Sequence, residues 1–371
     1  MVIEQHQETT ARGTSNDLIP VFDGHNDTLL SLGRTGRSFF EHGEAGHLDL
    51  PRARAGGLAG GFFAVFIPDP PSLAEPAASQ EEDPASIADR YRDPQAFPPP
   101  MPLAYAQREA LRTIAALYRL EAASVAAARV VRTAAEIRRC LVEGVLAMEL
   151  HIEGAEAIDP ELDALDVFYA AGLRSLGIVW SRPNRFAHGV PFAFPSSPDT
   201  GPGLTDLGKE LVRACNQRRI MLDLSHLNEA GFWDVAALSD APLVATHANA
   251  HALVPSSRNL TDRQLAAIRD SGGLVGVNFH VGFLRPDGAG DAETPLIRIA
   301  EQVEYLLEKL GPTGVALGSD FDGATMPAAL GDVAGLPRLL DALRAHGFDD
   351  ATLRAVAYDN WLGVLERTWG A

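Results

Sequence analysis

The stretch Ile19-Pro20-Val21-Phe22-Asp23-Gly24-His25-Asn26-Asp27 decides how the rest of the chain is read. Val21 and Phe22 follow a proline and precede a glycine, the pattern of a short buried strand. His25 and Asp27 lie two residues apart, so on extended backbone both side chains point to the same side. Imidazole and carboxylate together suit zinc and similar divalent ions. An H-x-D triplet is common by chance and carries little weight alone. It gains weight because four segments downstream also look like strands that end in His, Glu or Asp.

Working outward, residues 1–18 read as a loose arm and 56–67 as a second buried strand. Residues 68–105 are rich in Pro, Asp, Glu and Ser and form a long surface excursion, because strand-like and helix-like segments resume in one rhythm after them. Leu111, Ile114, Leu117 and Leu120 recur along one face, which predicts a helix over 106–126. A helix over 134–142 and a strand over 144–150 follow. Further strands are expected at 175–180, 220–224, 242–246, 273–278 and 314–317. Helices are expected at 160–171, 205–217, 230–238, 261–270, 295–310, 335–345 and 350–368, with Thr205 or its predecessor as a cap. Eight apolar strands without alternation imply a parallel sheet covered on both faces. The expectation is an α/β protein with one domain, a (β/α)8 TIM barrel over 19–371.

Composition narrows the function classes. The chain has 371 residues and a formal net charge of −18, which argues against nucleic acid and anionic membrane surfaces as partners. Two distant cysteines, Cys140 and Cys215, give no disulfide framework and favour a reducing compartment. The first residues lack the basic-then-apolar order of a signal peptide, no apolar run is long enough to span a bilayer, and the last residues lack the tail of a lipid-anchor signal. A cytoplasmic, non-membrane protein is expected.

In a barrel of this kind, chemistry sits at the C-terminal ends of the strands. The first strand ends in His25 and Asp27. The third presents Glu149, His151 and Glu153, the fifth His226, the sixth His247, and the eighth Asp320 and Asp322. A histidine after a strand is usually a hydrogen-bonded packing residue. Five strand ends carrying ligand types at one fold position are much harder to reach by chance.

With those residues in order, the sequence resembles the membrane (renal) dipeptidase family, the M19 metallopeptidases, which are related to the amidohydrolase barrels. The motifs that carry the resemblance are D-G-H-N-D at 23–27, I-E-G at 152–154, Gly203-Leu204-Thr205-Asp206-Leu207-Gly208, D-L-S-H at 223–226, Ser257-Arg258-Asn259 and G-S-D-F-D-G at 318–323. The resemblance implies a metalloprotease-type hydrolase with two Zn2+ per chain. His25 and Asp27 would hold one zinc, Glu153 would bridge both, and His226 and His247 would hold the second. A metal-bridging hydroxide would be the nucleophile. Asp320 would be the acid/base residue, and Arg258 would grip the carboxylate of a small dipeptide. The family carries a precedent for homodimers.

Other positions have blander alternatives. Glu149 and His151 alternate with Glu153 and could face the same side; the motif match prefers Glu153. Asp322 could support the site or cap a helix, and Asp223 is expected to make a buried hydrogen bond. His251 and His280 are read as loop or core residues, while His188 could touch substrate. One departure stands out. Many family members carry a histidine after the fourth strand that contacts the substrate carbonyl; here that position is Trp180, whose indole donates one hydrogen bond and carries no proton charge. Trp180 is therefore a substrate-binding candidate, with Arg182, Arg185 or His188 as helpers. It also supports an alternative, a barrel acting on a non-peptide amide, lactone or ester.

Overall fold

A computed structural model describes residues 18–70, 91–93, 97 and 99–370. Residues 1–17 of the expected arm, and 71–90, 94–96 and 98 of the expected excursion, lie outside the described residues. Nine strands form one all-parallel sheet: β1 (Val21–Asn26), β2 (Leu58–Phe66), β3 (Ala128–Val131), β4 (Leu146–Glu153), β5 (Ser175–Gly177), β6 (Met221–Asp223), β7 (Val244–Ala248), β8 (Leu274–Val277) and β9 (Val315–Leu317). Eight run in the order β1-β2-β4-β5-β6-β7-β8-β9, with helices between them, and β3 pairs with the first half of β4, on the edge that β5 takes farther along. The ends of this path meet through an Asn26–Phe321 bridge, with Asp27 N–H donating to the Phe321 carbonyl (2.8 Å) and Asp320 N–H to that of His25 (3.0 Å). The result is the expected (β/α)8 barrel.

β3 is the element that hydrophobic spacing misses. The run Glu121-Ala-Ala-Ser-Val-Ala-Ala-Ala continues a helical composition, so the helix was expected to reach residue 126. It ends at Ala123, and Val125 and Ala126 turn through positive φ (50° and 66°) to start the strand. The expected closing helix over 350–368 also divides, into Asp350–Arg354, a π turn over Ala355–Asp359 and a last helix, Asn360–Trp369.

That last helix packs against the strands' starting residues. Trp361 lies among Phe22 and Phe62, with ring centroids 6.5 and 5.0 Å away, and donates its indole N–H to the Leu317 carbonyl (2.9 Å). A Cβ at Gly24 would overlap this indole and the Thr246 carbonyl oxygen, so the glycine of the D-G-H motif is a packing requirement. The layer is apolar and fully buried, which leaves the opposite ends of the strands for polar chemistry.

At those ends the strands splay and side chains replace the backbone ladder. The β1/β2 register shifts between Asp23 and Asn26, and the Asn26 amide donates to the Phe62 carbonyl (3.0 Å). Asp23 accepts from the N–H (2.7 Å) and hydroxyl (2.8 Å) of Ser319 and so ties β1 to the segment after β9. Asp223 clamps β6 to β7 by accepting from Thr246 N–H (2.8 Å) and Oγ1 (2.5 Å). Asn249 and Asn278 exchange bonds of 3.0 and 3.1 Å between β7 and β8. Buried polar groups must be paired, and here each pairing holds a joint of the barrel.

Trp361→Ala is expected to destabilise the protein by about 3–5 kcal/mol, the range for deleting a large buried aromatic, with Trp361→Phe costing less. Chemical denaturation followed by circular dichroism measures both.

Candidate metal centre

Six of the predicted strand-end residues converge. His25 comes from β1, Asp27 follows it, Glu153 ends β4, His226 follows β6, His247 lies in β7, and Asp320 follows β9. The Glu153 carboxylate is central. One oxygen, Oε2, lies 3.5 Å from His25 Nε2, and the other, Oε1, lies 3.2 Å from His226 Nε2 and 3.7 Å from His247 Nε2. Asp27 Oδ2 is 3.4 Å from His25 Nε2. Among the described residues, three groupings of potential ligand atoms each fit within 4.8 Å: Glu153, His226 and His247; His25, Asp27 and Asp320; and His25, Asp223 and His247.

The donor set fits divalent cations on three observations. Both ring nitrogens of His25 and one Asp27 oxygen are buried without a hydrogen-bond partner, a costly arrangement for a protein that had nothing else to satisfy them. The Nε2 atoms of His226 and His247 face each other at 3.0 Å. Titration points the same way. Burial pushes both histidines well below the usual imidazole range, so they present lone pairs. Burial also lifts the Glu153 carboxyl well above its ordinary range, with Asp27 and Asp320 adding to it. Burial opposes protonation of His25, yet Glu153 and Asp27 hold it up at about 10. The carboxylates thus demand positive charge in a dry site. A barrel whose strand ends hold imidazoles and carboxylates in this way offers a candidate centre for divalent metal ions.

The other candidates are sorted by the structure. Glu149 and His151 lie deeper in the barrel, where the Ser175 hydroxyl joins them: it donates to Glu149 Oε2 (2.9 Å) and lies 2.8 Å from His151 Nδ1. Burial raises Glu149 to about 8 and lowers His151 to about 4. Asp322 turns away from the ligands; it accepts from Arg37 (2.9 Å) and His47 N–H (2.6 Å). Asp223 makes the buried hydrogen bonds expected of it, and the Thr246 hydroxyl that bonds it also lies 2.8 Å from His247 Nδ1, so Asp223 orients a ring nitrogen of the centre through Thr246. His226 (φ 66°) and Asp320 (φ 64°) occupy left-handed backbone, strain of about 1–3 kcal/mol per residue that the surrounding packing sustains.

A cavity of about 540 Å3 opens beside these groups and is lined by Asp27, Glu153, His226 and Asp320. Trp180 forms an aromatic wall there with Phe66 (5.1 Å between centroids), Phe192 (5.6 Å) and Tyr91 (4.7 Å), and its indole N–H meets no acceptor among the described residues. Arg258 is buried beside the centre, 3.1 Å from His226 Nε2 and 3.2 Å from the His247 carbonyl, over the Phe283 ring. Among the described residues no carboxylate pairs with it, and burial lowers it to about 10. Arg182, a suggested helper, is occupied by Asp69 (2.6 Å), Glu156 (3.3 Å) and Tyr91 (3.2 Å). His188 and Arg185 do not line the cavity. His280, read from sequence as loop or core, does line it, and the Asn278 amide donates to Asp320 Oδ2 (3.0 Å). Both residues follow β8, a strand end that carries no acid: from sequence His280 is discounted as loop or core and Asn278 is passed over.

Comparison with known proteins agrees. The sequence pattern of the membrane dipeptidase family, peptidase family M19, matches residues 16–369, and the chain belongs to this family of metallo-dipeptidases. A metallopeptidase from Rhodobacter sphaeroides, solved with a phosphinate mimic of the dipeptide L-Ala-D-Ala, is 52% identical, with a TM-score of 0.89, covering 95% of this chain and all of that one. Dipeptidase AC, also of family M19, is 51% identical, with a TM-score of 0.87 and coverage of 95% and 99%. An uncharacterized protein encoded in the pqqA 5′ region of Klebsiella pneumoniae is 54% identical over 256 residues, 69% of this chain and 94% of that protein. Among the described residues, no helix is long and apolar enough to cross a membrane.

Asp223→Asn is expected to weaken retention of a divalent cation by about 10–100-fold, the usual cost of losing a group that orients a metal-binding histidine. Chelator competition followed by elemental analysis measures it.

Proposed function

We propose that this protein is a binuclear zinc dipeptidase that hydrolyses small dipeptides, including those with a D-residue at the carboxyl-terminal side. His25, Asp27 and Glu153 would hold one ion, and Glu153, His226 and His247 the other. Zinc held there supplies Lewis acidity that polarises the scissile carbonyl and lowers the pKa of the attacking water. The observation that carries the substrate assignment is Arg258, a buried guanidinium that has no carboxylate partner among the described residues, in a site otherwise rich in acids.

The chain's own residues divide the work. Arg258 pairs with the substrate's terminal carboxylate, which a longer peptide would place elsewhere; leaving this cation unpaired is costly, so the grip selects dipeptides. Asp320 accepts the proton of the attacking water and passes it to the leaving amine nitrogen, so that amine and carboxylic acid part with protons balanced. The Asn278 amide at Oδ2 fixes the rotation of that carboxylate. Trp180 offers a neutral donor and an apolar wall where a protonatable ring would add charge. The same wall favours a second reading, hydrolysis of a non-peptide amide, lactone or ester, which a mixed panel of dipeptides and such compounds separates.

With the zinc-loaded enzyme, Asp320→Asn is expected to lower kcat by about 10²–10⁴-fold at nearly unchanged KM and metal content. An unchanged kcat removes Asp320 from the mechanism. Arg258→Met is expected to lower kcat/KM for dipeptides by about 10²-fold or more, mostly through KM. Activity confined to non-peptide amides or esters overturns the dipeptidase assignment.

A further inference from the structure

The cavity is longer than the metal centre. Beyond Asp27 it continues along one face of α1 (Thr28–Thr35), lined by Leu30, Ser31, Arg34 and Thr35, and also by His47 and Met326. Arg258 and His226 lie on the Oε1 side of Glu153, and His25 and Asp27 on the Oε2 side. A dipeptide anchored by its carboxylate at Arg258 therefore crosses the centre towards α1 and places its amino-terminal side chain in this outer lobe. That placement rests on the dipeptidase function proposed above.

The charges of the lobe are uneven. Arg37 is spent on Asp322 (2.9 Å) and on the Leu48 carbonyl (2.8 Å). Asp322 is neutralised by that arginine and by His47 N–H (2.6 Å). Its own N–H donates to His47 Nδ1 (2.8 Å), so the neutral ring carries its hydrogen on Nε2 and acts as a donor. Arg34 is exposed, and among the described residues its side chain has no ion pair and no hydrogen bond. Among the described residues, the lobe thus presents Arg34 as a free cation and His47 as a neutral donor, beside a wall made apolar by Leu30 and Met326. Arg34 lies seven residues past Asp27, roughly 10 Å along the helix axis. Long helical side chains lean back towards the N-terminus, which brings the guanidinium nearer the centre.

We propose that the outer lobe selects an acidic amino-terminal residue, with Arg34 as the specificity-determining side chain, and that glutamyl is favoured over aspartyl. The extra methylene of glutamate covers the apolar wall and reaches the guanidinium, whereas aspartate falls short.

The test uses the zinc-loaded enzyme with Glu-Ala, Asp-Ala, Gln-Ala, Lys-Ala and Leu-Ala, each with L- and D-alanine. Glu-Ala is expected to exceed Gln-Ala in kcat/KM by roughly three- to fivefold, the scale of a solvent-accessible charge pair, and Lys-Ala by more. Arg34→Glu is expected to reverse the Glu-Ala to Lys-Ala order, and Arg34→Lys to keep it. Because Arg34 is exposed and unpaired, these substitutions do not threaten folding. A Glu-to-Lys ratio that Arg34→Glu leaves unmoved overturns the inference while Leu-Ala turnover upholds the dipeptidase function. Failure to cleave any of these dipeptides overturns both.

Discussion

Everything in this molecule depends on a carboxylate that has too many acidic neighbours and too little water. Glu153 sits within 3.7 Å of three imidazoles and close to Asp27 and Asp320, in a region where charge cannot be screened. Desolvation alone would drive such a group to its neutral form. In the proposed centre, cations held there would reverse that preference, because they would turn mutual repulsion among the acids into a common attraction. The same condition explains why His25 attracts a proton in the absence of other positive charge, while His226 and His247 do not.

Such a centre has to be built where the barrel's own hydrogen bonding fails. Strands that splay at their C-terminal ends leave backbone groups without ladder partners, and the Asp23, Asp223 and Asn249 side chains satisfy them. The polar residues at this mouth are thus of two kinds: those that hold neighbouring strands in register and those released to face the cavity. The first kind sets the geometry of the second, as when Asp223 reaches His247 through the Thr246 hydroxyl. Trp361 at the other mouth keeps the barrel dry from below, so the polar layer rests on an apolar floor.

Substrate recognition in the proposed dipeptidase follows from how positive charge is distributed. Among the described residues, Arg258 is buried without a carboxylate partner on one side of Glu153, Arg37 and Arg182 are consumed by internal carboxylates, and Arg34 has no ion pair on the far side. An aromatic wall centred on Trp180 stands beside the metal centre. In an acidic protein these few uncommitted cations are what a small anionic substrate can find.

Much of this was legible in the chain itself. Short apolar runs ending in His25, Glu153, His226, His247 and Asp320 announce a parallel barrel with chemistry at one mouth, because strand period and strand polarity are local properties of the sequence. Local properties also misled: alanine-rich composition hid β3, and at an acid-free strand end Asn278 was passed over and His280 was read as loop or core. The choice among Glu149, His151 and Glu153 could not be made locally, since all three share one face of β4; only the depth of each in the closed barrel separates Glu153, beside the cavity, from the two beneath it. The sequence by itself determined which residue types reach the mouth of the barrel. The tertiary structure decided which of them are consumed by pairing with one another and which remain free to bind, because that depends on contacts between residues hundreds of positions apart.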